Sequence, residues 1–386
     1  MTNGRAIAGV PNSSEKALLL ACARSRITPA ISAEIRRITS GPIDWSLLLR
    51  SAAENSVLPL LALNLPLAAS DLFSPDDLER LRSAARAAAI RSLQLSAELV
   101  RVMEGLREKN ITAFPYKGLV LAVQAYGDLA LREFEDLDIV LRQRDMPRAH
   151  EALSLLGYRP RYPFSIGGLV PGEYSYSKNN CTVIVELHTE QTLRHFPRRP
   201  DLDAMERRAR PVVLGGPVVS SFGPEDTLIL LSVHGAKDFW ARLSWVTDVA
   251  EFVQRYADLN WDLVLREAST LKVERMFFLA LSVAKQALGA SVPAEIERRV
   301  QRDAQVRSDA DAICRRLAMT EPPSWSAAGA FHFRRRLGGW RYATRLATAP
   351  AQEDTAMVRL PKALAPLYVA IRPLRLLAKY GFSAKV

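Results

Sequence analysis

Cysteine is scarce in this chain. Its 386 residues include three cysteines, Cys22, Cys181 and Cys314, which are widely spaced and form no C-x-x-C pair. A disulfide framework needs an even number of cysteines and a zinc site needs clustered ligands, so the sequence indicates neither. This cysteine usage is typical of a reducing compartment, and we expect a cytoplasmic location.

Long apolar runs are also missing. The LLLACA run near the N-terminus is far shorter than the roughly 20 apolar residues that cross a bilayer. It follows Asn12-Ser13-Ser14-Glu15, a helix-capping pattern with an acid where a signal peptide carries basic charge. We therefore expect neither a signal peptide nor a transmembrane helix. The apolar fraction of 48% suffices for a large core, and the length predicts two or three domains.

Positive charge is concentrated at one end of the chain. The net charge is +11, and the segment from Phe331 to Val386 holds 11 Lys and Arg against two acids, so +9 of that charge lies there. The rest of the chain is nearly neutral. A general nucleic-acid-binding face is therefore weakly supported, and no specific nucleic-acid partner is expected.

The C-terminal segment alternates apolar and basic side chains. The apolar set is Leu360, Leu364, Leu367, Tyr368, Ile371, Leu374 and Leu377, and the basic set is Lys362, Arg372, Arg375 and Lys379. This pattern is typical of a helix that lies on the anionic inner surface of a membrane. The alternative is a helix packed on the body of the protein, and three prolines interrupt the pattern.

Hydrophobic periodicity predicts an α+β fold, in which a small mixed β-sheet core is flanked by N-terminal and C-terminal helical regions. We predict a helical region at 1–110, a mixed-sheet core at 111–222, a helical domain at 223–318 and a basic tail at 319–386. Within the core we expect a strand at 111–117, a helix from Leu119 to Tyr126 that ends at Gly127, and a hairpin with its turn at Asn179-Asn180.

Asp136 and Asp138 are the first candidate metal ligands. In a strand, residues two apart point to the same face, so both carboxylates project together while Leu137 and Ile139 face the core. Two adjacent carboxylates repel each other unless a cation lies between them, and hard oxygen ligands suit Mg²⁺ or Mn²⁺. The alternative is a pair of ordinary acids at an exposed strand end.

Lys117 and Gly118 stand where a strand turns into a helix. Backbone N–H groups at such a turn can hold a phosphate, and the Lys117 ammonium adds positive charge. Arg132 lies four residues before Asp136, in a loop where its guanidinium could neutralise a phosphate. For Arg132 the alternative is a salt bridge to Glu133 or Glu135.

Glu186 is the third candidate carboxylate. The sequence CTVIVELHT alternates apolar and other residues, which places Glu186 and His188 on the same face of a strand. With the aspartate pair, Glu186 makes three acids that could hold two ions. A register slip of one residue would turn it away, and His188 is either a supporting group or an ordinary strand histidine.

Further along the chain, polar residues recur at helical spacing. His234, Asp238, Trp245 and Asp248 fall near one another, with Lys237 and Arg242 beside them. They are expected either to line the open side of the nucleotide or acceptor site or to form a satisfied buried network between helices.

Together these residues resemble a known family. The chain has Lys117-Gly118 after a strand, an arginine shortly before Asp136-Leu137-Asp138, a later VELH strand, then H-x-x-K-D-x-W from His234 and W-x-x-D from Trp245. This set is similar to a bacterial nucleotidyltransferase-like family, often found among polysaccharide-biosynthesis genes, of the DNA polymerase β-type superfamily. The resemblance covers roughly Asp44 to Asp262. The superfamily usually has Gly-Ser after the first strand, whereas this chain has Lys117-Gly118-Leu119.

The resemblance implies a metal-dependent nucleotidyltransferase that moves an NMP from an NTP to an acceptor hydroxyl. Asp136, Asp138 and Glu186 would be the catalytic and Mg²⁺-binding or Mn²⁺-binding residues, and Lys117, Gly118, Arg132, His234 and Lys237 would bind the nucleotide. One alternative is a glycosyltransferase, since Asp-x-Asp also binds the diphosphate of a nucleotide-sugar through a metal. Another is a non-catalytic scaffold of the same fold. The acceptor and the base preference stay open.

Overall fold

A computed structural model describes residues 13–162, 172–178, 182–190, 195–320, 322, 325–350, 354, 357–358 and 360–380. The turn predicted at Asn179-Asn180 and the cysteine Cys181 lie outside these residues, as does part of the basic tail. Cys22 and Cys314 are free and buried.

In the described part of the chain, helices outnumber strands. The helices are α1 Ser14–Cys22, α2 Pro29–Thr39, α3 Trp45–Glu54, α4 Leu58–Ala69, α5 Pro75–Glu108, α6 Gly118–Leu121, α7 Met146–Leu155, α8 Leu202–Arg207, α9 Pro224–Lys237, α10 Leu243–Arg255, α11 Trp261–Leu271, α12 Glu274–Leu288, α13 Ala294–Arg302, α14 Ala304–Leu317, α15 Ala327–Thr348 and α16 Tyr368–Tyr380. The strands are β1 Ala113–Pro115, β2 Asp136–Leu141, β3 Arg159–Pro160, β4 Glu173–Lys178, β5 Val183–His188, β6 Arg210–Val213 and β7 Val218–Ser221.

The main sheet is mixed. Its strand order is β1-β2-β5-β4-β3, and β6 pairs with β7 in a separate hairpin. β2 runs parallel to β5, whereas β1 and β2, β4 and β5, and β3 and β4 are antiparallel. The parallel pair forms because β2 and β5 are joined by the crossover through α7 and the β3–β4 hairpin, so their equivalent ends lie side by side. The predicted α+β class, with a small mixed sheet, is confirmed.

Two hydrophobic clusters hold the structure together. One surrounds the sheet and includes residues of α5 and α7. The other joins residues of the N-terminal helices α1–α4 with residues of α9–α14 and α15. The N-terminal and C-terminal helices therefore share a core, although the sheet separates them in sequence. The predicted domain boundaries at 110, 222 and 318 stay predictions.

Most predicted elements of the core form, with two differences. The first strand is shorter than expected, at Ala113–Pro115. The predicted helix from Leu119 to Tyr126 begins one residue early as α6, and its second half, Ala122–Tyr126, is a π-helical turn. It ends as predicted at Gly127, whose left-handed φ of 75° terminates the turn.

Polar side chains of the C-terminal helix α16 contact the chain segment that precedes it. Tyr368 is buried and its hydroxyl donates to the Val358 carbonyl. Arg372 and Arg375, two of the cations expected to face a membrane, form ion pairs with the buried carboxylate of Asp354. Leu364, Leu367, Val369 and Leu374 are exposed. Arg372 and Arg375 therefore pair with an acid of the C-terminal segment itself, and a membrane contact stays a prediction. No helix in the described ranges has both the length and the hydropathy to cross a bilayer.

Trp240, the last residue of the H-x-x-K-D-x-W motif, is a core residue. It is 1% exposed, and its ring lies against Gly235 of α9. A Cβ at position 235 would lie 2.5 Å from the Trp240 ring, which is closer than real Cβ atoms approach. The motif therefore combines a glycine and a tryptophan that fix the end of α9, where His234 and Lys237 stand.

We predict that Gly235→Ala destabilises the protein by about 1–3 kcal/mol, because the added methyl group overpacks a rigid ring in the core. Urea unfolding of the variant measures the loss. The matched control is Gly41→Ala, whose added Cβ meets its nearest neighbour at an ordinary 3.7 Å. Equal stability of the two variants would contradict the role assigned to Trp240.

Candidate active site

The three candidate acids lie on one face of the main sheet. In the parallel pair of strands, Asp138 is directly opposite Glu186 and Asp136 is opposite Ile184. Leu137 and Ile139 are buried on the other face. Because cross-strand partners share a face, the register brings Glu186 to the side of the aspartate pair.

His188 binds the carboxylate of Asp138. Its Nε2 lies 2.7 Å from Asp138 Oδ1 and 3.7 Å from Glu186 Oε2. An ionised carboxylate only accepts, so Nε2–H donates this hydrogen bond. Ligand atoms of Asp138, Glu186 and His188 all lie within 4.8 Å of one another and could hold a metal ion. Asp136 is outside this close group, although it lines the same cavity.

The three candidate acids differ in their pKa values. Burial, and then the charges of Asp138 and Glu186, raise the pKa of Asp136 to about 7. For Asp138 burial acts in the same direction, but the Lys117 ammonium and the His188 hydrogen bond outweigh it and lower its pKa. Burial and Asp138 raise the pKa of Glu186. Asp138 is thus stabilised as an anion, and the other two acids lack enough positive charge nearby to be ionised easily.

Lys117 is held in a backbone conformation that side chains rarely adopt. Its φ is 58° and its ψ is −151°, in a region that is essentially reserved for glycine. Its Nζ lies 3.7 Å from Asp138 Oδ2 and 4.7 Å from the centre of the Tyr116 ring. The strained backbone therefore directs the ammonium toward the acids. Gly118 follows it with a φ of 41° and begins α6.

Arg132 forms a buried bidentate ion pair with Asp248 of α10. Its Nε and Nη2 donate to the two carboxylate oxygens at 2.8 and 2.9 Å, and Tyr126 donates to the same carboxylate at 2.8 Å. Arg132 Nη1 also donates to the Gly118 carbonyl at 3.3 Å. The alternative prediction, a salt bridge from Arg132 to Glu133 or Glu135, is wrong, because the salt bridge joins Arg132 to an acid 116 residues away.

His234 and Lys237 face the acids from α9. Together with Lys117, Gly118, Arg132, Asp136, Asp138, Glu186 and His188 they line a cavity of about 450 Å³, which we call the acid cavity. The His234 ring packs edge-on against Trp245 at 5.1 Å. Burial, and then Lys117 and Lys237, lower the pKa of His234 well below its ordinary value, so it is a neutral imidazole. The cavity thus places several cations opposite the carboxylates.

All the predicted site residues line the acid cavity. Asp248, expected either on the open side of the site or in a buried network, belongs to a buried network, whereas sequence reasoning left Tyr116 unassigned. Tyr116 packs edge-on against the His188 ring at 5.7 Å, and Asp248 holds Arg132. The position of Tyr116 directly before Lys117 is a sequence signal that could have identified it. The Arg132–Asp248 pair has no sequence signal beyond the W-x-x-D motif, since nothing in a single sequence relates positions so far apart.

We predict that Asp248→Ala destabilises the protein by about 3–5 kcal/mol, because it leaves the buried Arg132 guanidinium without its counter-ion. Chemical unfolding measures the change. The control is Asp71→Ala, which breaks the exposed bidentate pair with Arg36 and is expected to change stability little. A small effect of Asp248→Ala would contradict the structural role of the pair.

We predict opposite effects of Lys117→Gly on stability and on anion binding. Glycine removes the strain at this φ and ψ, so the free energy of unfolding should rise by about 1 kcal/mol. Loss of the ammonium should weaken pyrophosphate binding, which calorimetry measures. Lys117→Ala is the matched control: it loses the same charge but keeps the strain, so it should bind pyrophosphate as weakly without gaining stability. Equal stability of the two variants would contradict the strain.

Comparisons with curated proteins and with solved structures show little similarity. No curated protein matches the chain. Among solved structures, that of the antibiotic-resistance factor ANT(2'')-Ia is similar at 11% identity with a TM-score of 0.34, over 46% of this chain and 90% of that one. An antigenic nucleotidyltransferase-like protein from Paracoccidioides brasiliensis is similar at 17% identity with a TM-score of 0.31, over 53% of this chain and 94% of that one. Similarity at these TM-scores is too weak to assign a function.

The family comparison is more extensive. The family described as "Uncharacterised nucleotidyltransferase" matches residues 41–289, which is more than half of the chain and includes every residue of the acid cavity. The chain therefore belongs to this nucleotidyltransferase family.

Proposed function

We propose that this protein is a metal-dependent nucleotidyltransferase that transfers an NMP from an NTP to an acceptor hydroxyl. The observation that carries the proposal is the group formed by Asp138, Glu186 and His188, whose ligand atoms lie within 4.8 Å of one another beside Lys117. Membership in the nucleotidyltransferase family supports NMP transfer in general. The metal, the acceptor and the roles of single residues are proposed from the site itself.

The donor set fits a divalent cation. Asp136 and Glu186 have raised pKa values because burial and neighbouring negative charge oppose their ionisation. A cation among these carboxylates would relieve the repulsion, and carboxylate oxygens suit Mg²⁺ or Mn²⁺. Asp136, Asp138 and Glu186 would hold two such ions, with His188 orienting Asp138 through its hydrogen bond. When bound, the metal would lower the pKa of the acceptor hydroxyl and neutralise charge on the α-phosphate.

The cations of the acid cavity would bind the triphosphate. Lys117 is the principal candidate, since its ammonium stands beside Asp138. Lys237 and the neutral His234 line the same cavity from α9 and would contact the outer phosphates. Arg132 is largely committed to Asp248 and to the Gly118 carbonyl. Its contribution to nucleotide binding would therefore include fixing the Gly118 backbone.

The transfer would proceed by in-line displacement. The acceptor oxygen would form a bond to the α-phosphorus while the bond to the pyrophosphate oxygen breaks, and pyrophosphate would leave toward Lys117. The proton of the acceptor hydroxyl would pass to Glu186, which is more exposed than Asp138 and has a raised pKa. Alternatively, Glu186 would complete the metal site on the side of the nucleophile.

The alternatives are less consistent with this chain. A glycosyltransferase with Asp-x-Asp would be expected to have a large nucleotide-binding sheet before that motif, whereas residues 14–108 are mainly helical. A non-catalytic scaffold of the same fold would not need three acids crowded beside a strained lysine. Their electrostatic cost is easiest to explain by a bound cation.

We predict that Asp136→Ala removes the magnesium-dependent part of NTP binding and lowers NMP transfer or NTP hydrolysis by about a hundredfold or more, since a catalytic ion contributes several kcal/mol. Calorimetry with each NTP, with and without Mg²⁺ or Mn²⁺, measures binding, and a labelled α-phosphate reports transfer. The control is Glu104→Ala, an exposed acid on α5. Unchanged magnesium-dependent binding in a folded Asp136→Ala protein would sink the proposal.

A further inference from the structure

A second and larger cavity adjoins the acid cavity. It has a volume of about 770 Å³, within the range of small-molecule sites, and we call it the aromatic cavity. Glu186, His188 and Lys237 line both cavities, whereas Lys117, Asp136 and Asp138 line only the acid cavity. The two cavities therefore meet at the residues assigned to the reacting end of the nucleotide.

A row of side chains crosses the sheet from one cavity to the other. Asp138 of β2 pairs with Glu186 of β5, and Glu186 pairs in turn with Ser175 of β4. Cross-strand partners share a face, so the three side chains form one line. Ser175 lines the aromatic cavity. A group bound at Ser175 thus lies directly beside Glu186, the proposed proton acceptor.

Polar atoms on this side of the aromatic cavity lack hydrogen-bond partners. Ser175 Oγ and His188 Nδ1 are buried, and neither has a partner within the part of the chain that the structure describes. Both residues are more than nine-tenths buried. Buried polar groups are nearly always paired, so these two atoms indicate a ligand that supplies hydrogen bonds, such as one with hydroxyl groups.

The opposite wall combines apolar and aromatic side chains with arginines, namely Arg334 of α15 and Arg372 and Arg375 of α16. Phe239 and Trp325 stack at 4.8 Å, and small or aliphatic residues of α15 and α16, including Ala343, Ala347 and Leu376, complete the wall. Trp325 Nε1 is also without a partner in the described structure. Helix α15 is broken at Gly339, whose φ of 82° lets its two halves bend, and residues of both halves line the cavity. The aromatic and aliphatic part of this wall can bind an apolar body.

We propose that the aromatic cavity is the acceptor site, and that its occupant is a small amphiphilic alcohol. The hydroxyl end would lie at Ser175 and Glu186, and the apolar body would lie against Phe239, Trp325 and the α15–α16 wall. This inference rests on the proposed function, because a nucleotidyltransferase needs an acceptor as its second substrate. Trp325 and the residues of α15 and α16 lie beyond the range 41–289 that matches the family, whereas Phe239 lies within it, so most of the apolar wall is supplied by a region outside the family match.

The test uses the full chain and octyl β-D-glucopyranoside below its micelle concentration, with binding followed by saturation-transfer NMR. Glucose is the comparison, since it has the hydroxyl groups without the apolar chain. We expect saturable binding of the octyl glucoside and weaker binding of glucose. Absence of saturable octyl glucoside binding, or equally tight binding of glucose, would overturn the proposal.

Two variants locate the binding in the aromatic cavity. Ala347→Trp fills the cavity and should weaken octyl glucoside binding about tenfold or more, which is a loss of about 1.4 kcal/mol. The matched control is Thr344→Trp on the exposed side of α15, which should bind as the unmodified protein does. Equal binding by Ala347→Trp and Thr344→Trp would contradict the assignment.

Ser175→Ala keeps the test decisive if Ala347→Trp fails to fold. It removes only a hydroxyl group, and we expect octyl glucoside binding to weaken by roughly threefold to tenfold, as for one lost hydrogen bond. Unchanged binding would count against the acceptor site. Asp136→Ala should leave octyl glucoside binding intact while magnesium-dependent NTP binding is lost. Failure of the nucleotidyltransferase proposal and failure of the acceptor site therefore give different results.

Discussion

The in-register parallel pairing of β2 with β5 places Asp138 directly beside Glu186, with Asp136 on the same face of the sheet. This pairing brings three carboxylates together in a partly buried site. Burial raises the free-energy cost of their ionised forms. Two neighbouring groups stabilise the ionised form of Asp138. Lys117 approaches Asp138 with a strained backbone, and His188 donates a hydrogen bond to the same carboxylate. A divalent cation would supply the positive charge that these two groups leave unmatched.

The Arg132–Asp248 pair connects the site to the helical part of the molecule. Arg132 lies in the loop that leads into the aspartate pair, and Asp248 lies on α10, which belongs to the larger hydrophobic cluster. The same guanidinium donates to the Gly118 carbonyl. One buried ion pair therefore fixes the turn proposed for phosphate binding, the loop before the acids and the helix beside His234. Removing one partner of such a buried pair is strongly destabilising, because it leaves the other charge without a counter-ion.

The two cavities give the proposed reaction a direction. Lys117 lines the acid cavity, where the triphosphate is proposed to bind, whereas the rings of Phe239 and Trp325 line the aromatic cavity together with arginines of α15 and α16. Glu186 and His188 belong to both. Because most of the wall proposed to bind the acceptor comes from α15 and α16, changes in this region would alter acceptor binding without changing the nucleotide chemistry.

Local chemistry made much of this protein predictable from its sequence. Alternation in DLDIVL and VIVELH determined which side chains share a face, and capping residues and Gly127 determined where helices end. The conformation of Lys117, the pairing of Asp138 with Glu186 and then Ser175, and the ion pair of Arg132 with Asp248 were decided only by the tertiary structure. Each depends on strand register or on contacts between distant segments. A single sequence encodes periodicity and propensity along the chain, whereas it does not state which segments meet.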